Sequence, residues 1–261
     1  MTSNPYAAPR AHVDDRPATI AGKFLGSGRG VPAVHGWQWI TAAFGLFRKQ
    51  PLAWVLMTLV FLVIAIVVSL VPLAGGFVVQ LFSPVFTAGI LLGSRRLEEG
   101  GEIGVGTLFE GFSSGHAGRL LGFGALGLVA TVVIYGVVGV ALGLGMWSLL
   151  GGGASGAGLG GEAAITLVLG VLVAVALSIP VYMAMWFTPA LITLHDMTIG
   201  AALRASFFAC LRNILPFLLY GVIFLLLMIV AIIPIGLGLL VLLPVLMISI
   251  YTSYRDIFFD A

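Results

Sequence analysis

The stretch Leu52-Ala-Trp-Val-Leu-Met-Thr-Leu-Val-Phe-Leu-Val-Ile-Ala-Ile-Val-Val-Ser-Leu-Val-Pro72-Leu-Ala-Gly-Gly76 opens a run without a charged residue from Leu52 to Gly93. Wound as one helix, that run would measure roughly 63 Å at about 1.5 Å per residue. A hydrocarbon core is only about 30 Å thick. The chain therefore has to fold back, and Pro72-Leu-Ala-Gly-Gly76 supplies the residues of a turn. Two spans are expected, at about 52–71 and about 75–94.

Working outward, Ile214 to Tyr254 is a second uncharged run, interrupted by Pro234-Ile-Gly-Leu-Gly238. The same argument gives spans at about 214–233 and about 236–254. Between the two hairpins lie apolar stretches at about 120–149 and about 163–187, joined by an external Gly-rich loop at about 150–162 that reads as a flexible linker. The expected fold is all-α, a polytopic membrane protein of six transmembrane helices. Long continuous runs argue against the short alternating segments of an outer-membrane barrel.

Composition agrees. Charged residues make up 8% and apolar residues 60% of the 261, against about 25% and roughly 45–50% in soluble domains. So few charges cannot coat a water-soluble globule, which excludes a soluble enzyme. A net charge of +2 does not suggest a nucleic-acid partner. The single cysteine, Cys210, excludes an intrachain disulfide and a cysteine metal cluster.

Residues 1–35 are different: Pro5, Pro9, Pro17 and Pro32, scattered Gly and Ser, and four cations, with no long apolar run. They are expected to form a disordered tail, unable to offset its ordering entropy by burial. Without an apolar h-region the tail is not a cleavable signal, so the first span is expected to act as an uncleaved anchor. Residues 36–256 form the membrane domain.

Six spans place both termini on one side. All 12 Lys and Arg then fall on that side, and the three opposite loops, near 72–75, 150–162 and 234–236, hold none. Positive charge is retained in the cytoplasm during insertion, so both termini are expected there.

Each hairpin follows a short segment with one apolar face: Trp37, Ile40, Phe44 and Phe47; Leu108, Phe109 and Phe112; Ile199, Leu203, Phe207 and Cys210. Such segments suit the headgroup plane as interfacial amphipathic helices. The second span of each hairpin carries a proline expected to kink it, Pro84, Pro189 and Pro244. Interfacial helix, span and Pro-bearing span thus recur three times in parallel, in units at about 37–100, 105–197 and 198–256.

These elements resemble a family. Ser83-Pro-Val-Phe-Thr-Ala-Gly89 and the run to Arg95-Arg96, then Ala201-Ala-Leu-Arg-Ala-Ser206 and on to Asn213 and Pro216, look like a proteobacterial six-span inner-membrane family. That family is similar in pattern to the membrane domain of glycerophosphodiester phosphodiesterases, and its best marker is the Pro…Ala-x-x-x-Ser…Asn element. The resemblance covers about residues 36–256. It implies a fold and an inner-membrane address. It carries over no catalytic residue, since this chain has no counterpart of the soluble phosphodiesterase domain with its acidic metal ligands.

Candidate chemistry is sparse. Gly122-x-Gly124-x-x-Gly127 matches a dinucleotide fingerprint as a string, but it lies inside a span and reads as a small-residue packing face. Gly89-x-x-x-Gly93 and Gly139-x-x-x-Gly143 read likewise, within the chain or between copies in a homo-oligomer. No cofactor or metal site is expected from the four scattered histidines. His195-Asp196 is the one adjacent acid–base pair, either a polar stop at the end of span four or a pH-sensitive pair. Gln80, Ser83, Thr131, Tyr135 and Tyr182 are mid-membrane polar groups, which either pair with neighbouring helices or line a pathway. Cys210 is expected to pack, acylation being the alternative. Arg48, Lys49, Arg95, Arg96, Arg119, Arg204 and Arg212 either set orientation alone or form a ring that contacts anionic lipid or a small anion.

The expectation is a non-enzymatic scaffold that organises membrane lipids or protein partners. The alternative is a uniporter or channel for a small solute. No nucleophile–base pair or carboxylate dyad is in sight for an enzyme.

Overall fold

A computed structural model describes residues 22–72, 74–151 and 161–260. In chain order the helices are α1 (His35–Lys49), α2 (Pro51–Ser69), α3 (Ala74–Glu98), a 3-10 turn (Val105–Phe109), α4 (Glu110–Ser113), α5 (Ala117–Gly151), α6 (Gly161–Trp186), α7 (Thr188–His195), α8 (Ile199–Arg212), α9 (Ile214–Ile232) and α10 (Leu239–Phe258). Six segments are long and apolar enough to cross a membrane: Pro51–Ser69, Ala74–Glu98, Ala117–Val140, Val168–His195, Ile214–Ile232 and Leu239–Phe258.

The two expected turns are present and tight. A Cβ on Gly75 would meet the Val68 carbonyl oxygen at 2.1 Å, and one on Gly238 would meet the Ala231 Cα at 2.6 Å. Only glycine admits such an approach. Ile235 and Gly236 both take positive φ at the second turn, 56° and 79°. The Gly-rich linker at 152–160 lies outside the described residues, as does the tail at 1–21.

The spans sort into inner and outer helices. In α3 and α10, 44% and 50% of the span residues are buried, against 17% in α2, α5 and α9. Val63, Ile66, Leu225 and Ile229 of the outer helices are exposed, a surface that suits acyl chains and would aggregate in water. The core gathers at the end of the bundle where the cations lie. There Trp39, Trp54, Phe187, Tyr251, Tyr254 and Phe258 are fully buried.

The short elements pack in a closed order. The 3-10 turn and α4 lie on α3, α8 lies on α6 and α7, and α1 lies on α10 and α9. Each therefore covers the second span of the hairpin before it, with α1 covering that of the last. The faces differ in part from the sequence expectation. Ile40, Phe47, Leu108 and Cys210 are buried, whereas Trp37, Phe44, Phe109 and Phe112 are exposed. The protein-facing side of α1 carries Trp39 and Ala43 instead.

One expectation needs correction. Residues 22–34, assigned above to a disordered tail, are a strap held to the C-terminus. The Leu25 N–H donates to the Phe258 carbonyl at 2.7 Å and the Arg29 N–H to that of Ile257 at 2.8 Å, while Phe24 bridges Phe259. Composition hid this because the partners are backbone groups far away in sequence. The three prolines expected to kink their spans occupy different positions. Pro84 and Pro244 sit inside unbroken α3 and α10, whereas the helix breaks at Phe187, before Pro189 at the start of α7. At Pro84 the missing N–H leaves the Gln80 carbonyl without its helical partner. The Ser83 hydroxyl donates to that carbonyl at 3.0 Å instead.

Candidate functional site: a lipid-facing chamber and the charged end

Four of the five polar pathway candidates come together. A cavity of ≈ 580 Å³ opens between α3, α5 and α6, with Gln80, Thr131, Tyr135, Ser178, Tyr182 and Trp186 in its wall. The exception is Ser83, whose hydroxyl caps the Gln80 carbonyl. Val171, Ala174, Val175 and Ile134 complete an apolar lining, and among the described residues no charged side chain contributes.

Close helix approach brings α5 onto α3 beside the chamber. A Cβ on Gly124 would meet the Leu81 carbonyl oxygen at 2.2 Å, so α5 lies directly on α3. Gly127 faces the Met185 methyl and Gly122 the Ile199 side chain. The dinucleotide-like string is therefore a packing face within the chain. Gly89 and Gly93 serve the same purpose against Thr107 and Leu108, while Gly139 and Gly143 have no neighbour within 4 Å.

The chamber's polar groups are only partly used. Gln80 Nε2 donates to Thr131 Oγ1 at 2.9 Å, and Ser178 Oγ to the Ala174 carbonyl at 2.7 Å. Trp186 Nε1 is buried without a partner among the described residues. Tyr135 and Tyr182 are 71% and 68% exposed, on helices that face lipid. Tyr182 and Trp186 also belong to a second groove of ≈ 340 Å³ between α6, α8 and α9, lined by Cys210, Phe217 and Leu218. Sequence reasoning missed Trp186; its signal was a tryptophan amid apolar residues, which by itself cannot be told from core.

Most of the candidate anion ring is occupied internally. Arg95 Nε lies 2.9 Å from Glu99, Arg96 forms two bonds to Glu110, and Arg119 pairs with Asp196. Lys49 Nζ donates to the Leu97 carbonyl at 2.6 Å. Arg48 and Arg204 have no carboxylate partner among the described residues; each lies 5.9 Å from a ring centroid, of Phe44 and Phe208 respectively. Arg212 donates to the carbonyls of Ser27 and Gly28.

His195 and Asp196 do not act as a pair. His195 Nε2 bonds the Tyr254 hydroxyl, and its ring stacks on Phe24 at 3.5 Å. Asp196, the left-handed cap of α7, turns outward to Arg119 and to His116, 3.4 Å away. The Arg119 guanidinium holds the Asp196 carboxyl below the usual carboxylate range. The Cys210 thiol is pushed up to about 12 by burial, which keeps it protonated and a poor nucleophile at neutral pH.

The family marker turns out to be structural. Ser206 Oγ accepts the Phe187 N–H at 3.0 Å and donates to the Met183 carbonyl at 2.7 Å, satisfying backbone groups at the α6–α7 break. Asn213 is fully buried; its Oδ1 accepts the Val31 N–H, and its Nδ2 donates to the carbonyls of Arg29 and Ala209, each at 2.8 Å. It ties the strap to the α8–α9 junction.

Six apolar helices with lipid-compatible exteriors define a multi-pass α-helical membrane protein. The chain is 31% identical over 195 residues to a probable inner membrane protein of Burkholderia thailandensis, a match spanning 73% of this chain and 72% of that one. It belongs to that family of inner membrane proteins. No family model matches the chain, and no solved structure does.

Proposed function

We propose that this protein is a non-enzymatic lipid-organising protein of the inner membrane, and that the chamber between α3, α5 and α6 receives a neutral lipid from the bilayer. The carrying observation is the combination of a side opening, an uncharged lining and three donors, on Tyr135, Tyr182 and Trp186, with no hydrogen-bond partner among the described residues. A charge-free wall rejects an ion and favours a neutral molecule. Donors in an apolar setting gain most from a carbonyl acceptor, such as an acyl ester. The adjoining groove shares Tyr182 and Trp186 with the chamber and suits a hydrocarbon chain.

The same reading takes the chain as three parallel hairpin units, each led by an interfacial amphipathic helix. The closed packing order of α1, the 3-10 turn with α4, and α8 supports it. Both termini are cytoplasmic in this account, supported by contacts such as Lys49–Leu97, Arg119–Asp196 and Arg255–Glu98, which gather the cations at one end. A reporter fused after Gly156 should then be active only outside the cytoplasm.

The competing channel or uniporter requires a polar path across the bundle. The inner helices α3 and α10 instead bury Leu91 and Ile248, and α7 buries Leu191, which favours a closed centre. Reconstituted protein should pass small solutes no faster than empty vesicles. It should retain a neutral ester lipid on purification, and replacing Tyr135 and Tyr182 together by Leu should release it. Solute flux with no retained lipid would decide for the channel.

A further inference from the structure

A separate cavity of ≈ 640 Å³ lies at the charged end, between the strap at Gly26–Ser27 and one face of α8 carrying Gly200, Arg204, Phe208 and Arg212. Among the described residues two arginines line it and no carboxylate does. This sets it apart from the rest of that end, where Arg29, Arg96, Arg119 and Arg255 each meet an acidic side chain. Arg212 spends Nη1 on the Ser27 and Gly28 carbonyls, both at 3.1 Å, which fixes its guanidinium at the wall. Arg204 has no hydrogen-bond or ion-pair partner among the described residues, and its guanidinium lies 5.9 Å from the Phe208 ring centroid. Beside the cavity Phe208, Leu211, Ile214 and Leu215 are exposed, and Ile214 begins a membrane span.

We propose that this cavity holds the phosphate of an anionic phospholipid, with Arg204 as the mobile clamp, Arg212 as the fixed wall and the acyl chains running along Leu211, Ile214 and Leu215. Two guanidiniums without a carboxylate favour a phosphate oxyanion, which arginine engages with paired donors. Free phosphate shares that chemistry, but it has no use for an apolar rim at the start of a span. The phosphate cavity shares no lining residue with the neutral-lipid chamber and differs from it in charge, while Ile214 also borders the groove beside that chamber.

The test uses the full chain in vesicles of phosphatidylcholine and phosphatidylglycerol, followed by native mass spectrometry of the lipid each variant retains. Wild type should keep phosphatidylglycerol in preference to phosphatidylcholine. Arg204→Gln should lower that retention by about tenfold, the worth of one charge-assisted contact. Arg204→Lys should recover part of it. Lys23→Gln, which removes a cation outside the cavity, should match wild type. An unchanged thermal midpoint in Arg204→Gln would exclude misfolding as the cause, and retention of neutral lipid in that variant would show the chamber intact. Equal phosphatidylglycerol retention by wild type and Arg204→Gln would overturn the proposal. So would an equal loss in Lys23→Gln, or displacement of the lipid by millimolar inorganic phosphate.

Discussion

Glu110 at the start of α4 holds the guanidinium of Arg96 near the end of α3 with both carboxylate oxygens, at 2.9 and 2.8 Å. The pair fastens the short element leading the second hairpin to the last turns of the first. Paired donors in fixed geometry put it near the top of the range for exposed ion pairs, about 1 kcal/mol. Glu110→Gln should lower the thermal midpoint in detergent by a few degrees, and high salt should lower wild type toward the variant. A midpoint insensitive to both would mean that the pair contributes nothing.

Asn213 should matter more. Replacing it by Leu leaves the Val31 N–H and the Arg29 and Ala209 carbonyls without their partner. Unpaired buried groups of this kind cost roughly 1–3 kcal/mol each. The expected signature is local: faster hydrogen exchange at the Val31 amide and protease cleavage within residues 22–34, with the spans still protected. A uniformly destabilised bundle would instead place Asn213 in the general core.

Small residues in α5 divide by what they face. Gly124→Ala would drive a Cβ into the Leu81 carbonyl at 2.2 Å, and forced separation of packed helices costs typically 1–3 kcal/mol. Gly139→Ala meets nothing within 4 Å and should be neutral. Comparing the thermal midpoints of the two variants tests whether this face packs within the chain. Equal effects would point to a contact made by Gly139 with another molecule.

Acid should loosen the junction of α5 with the α7–α8 link. The folded Asp196 carboxyl lies below its ordinary value because of Arg119. Its contribution is therefore present above the unfolded carboxylate value, about 3.9, and fades as pH falls through the lower folded one. Stability should be flat from neutral pH down to about 5 on this account. Asp196→Asn should remove the dependence below that. A loss of stability at this junction between neutral pH and about pH 5 would contradict the account.

The spans were legible because the evidence for them is local: Pro72 and Gly75 or Pro234 and Gly238 interrupt runs too long for one crossing. The polar chamber was legible in part, since Gln80, Thr131, Tyr135 and Tyr182 stand out against apolar neighbours. What failed to show was everything made by long-range pairing. The strap depends on backbone bonds between Leu25 and Phe258, for which polar composition offers no sign. The cations looked like a ring because a sequence does not reveal that Glu110 meets Arg96 or that Asp196 turns to Arg119. Only the geometry separates Arg204, which has no carboxylate partner among the described residues, from the arginines already matched.

The most direct test of the neutral-lipid chamber is photolabelling in native membranes with a diacylglycerol carrying a photoreactive group beside its ester. The account predicts label concentrated on the α5 and α6 peptides around Thr131–Tyr135 and Ser178–Trp186, reduced when Tyr135 and Tyr182 are replaced by Leu. Label spread evenly over the exposed faces of α2 and α9, and indifferent to those substitutions, would contradict it.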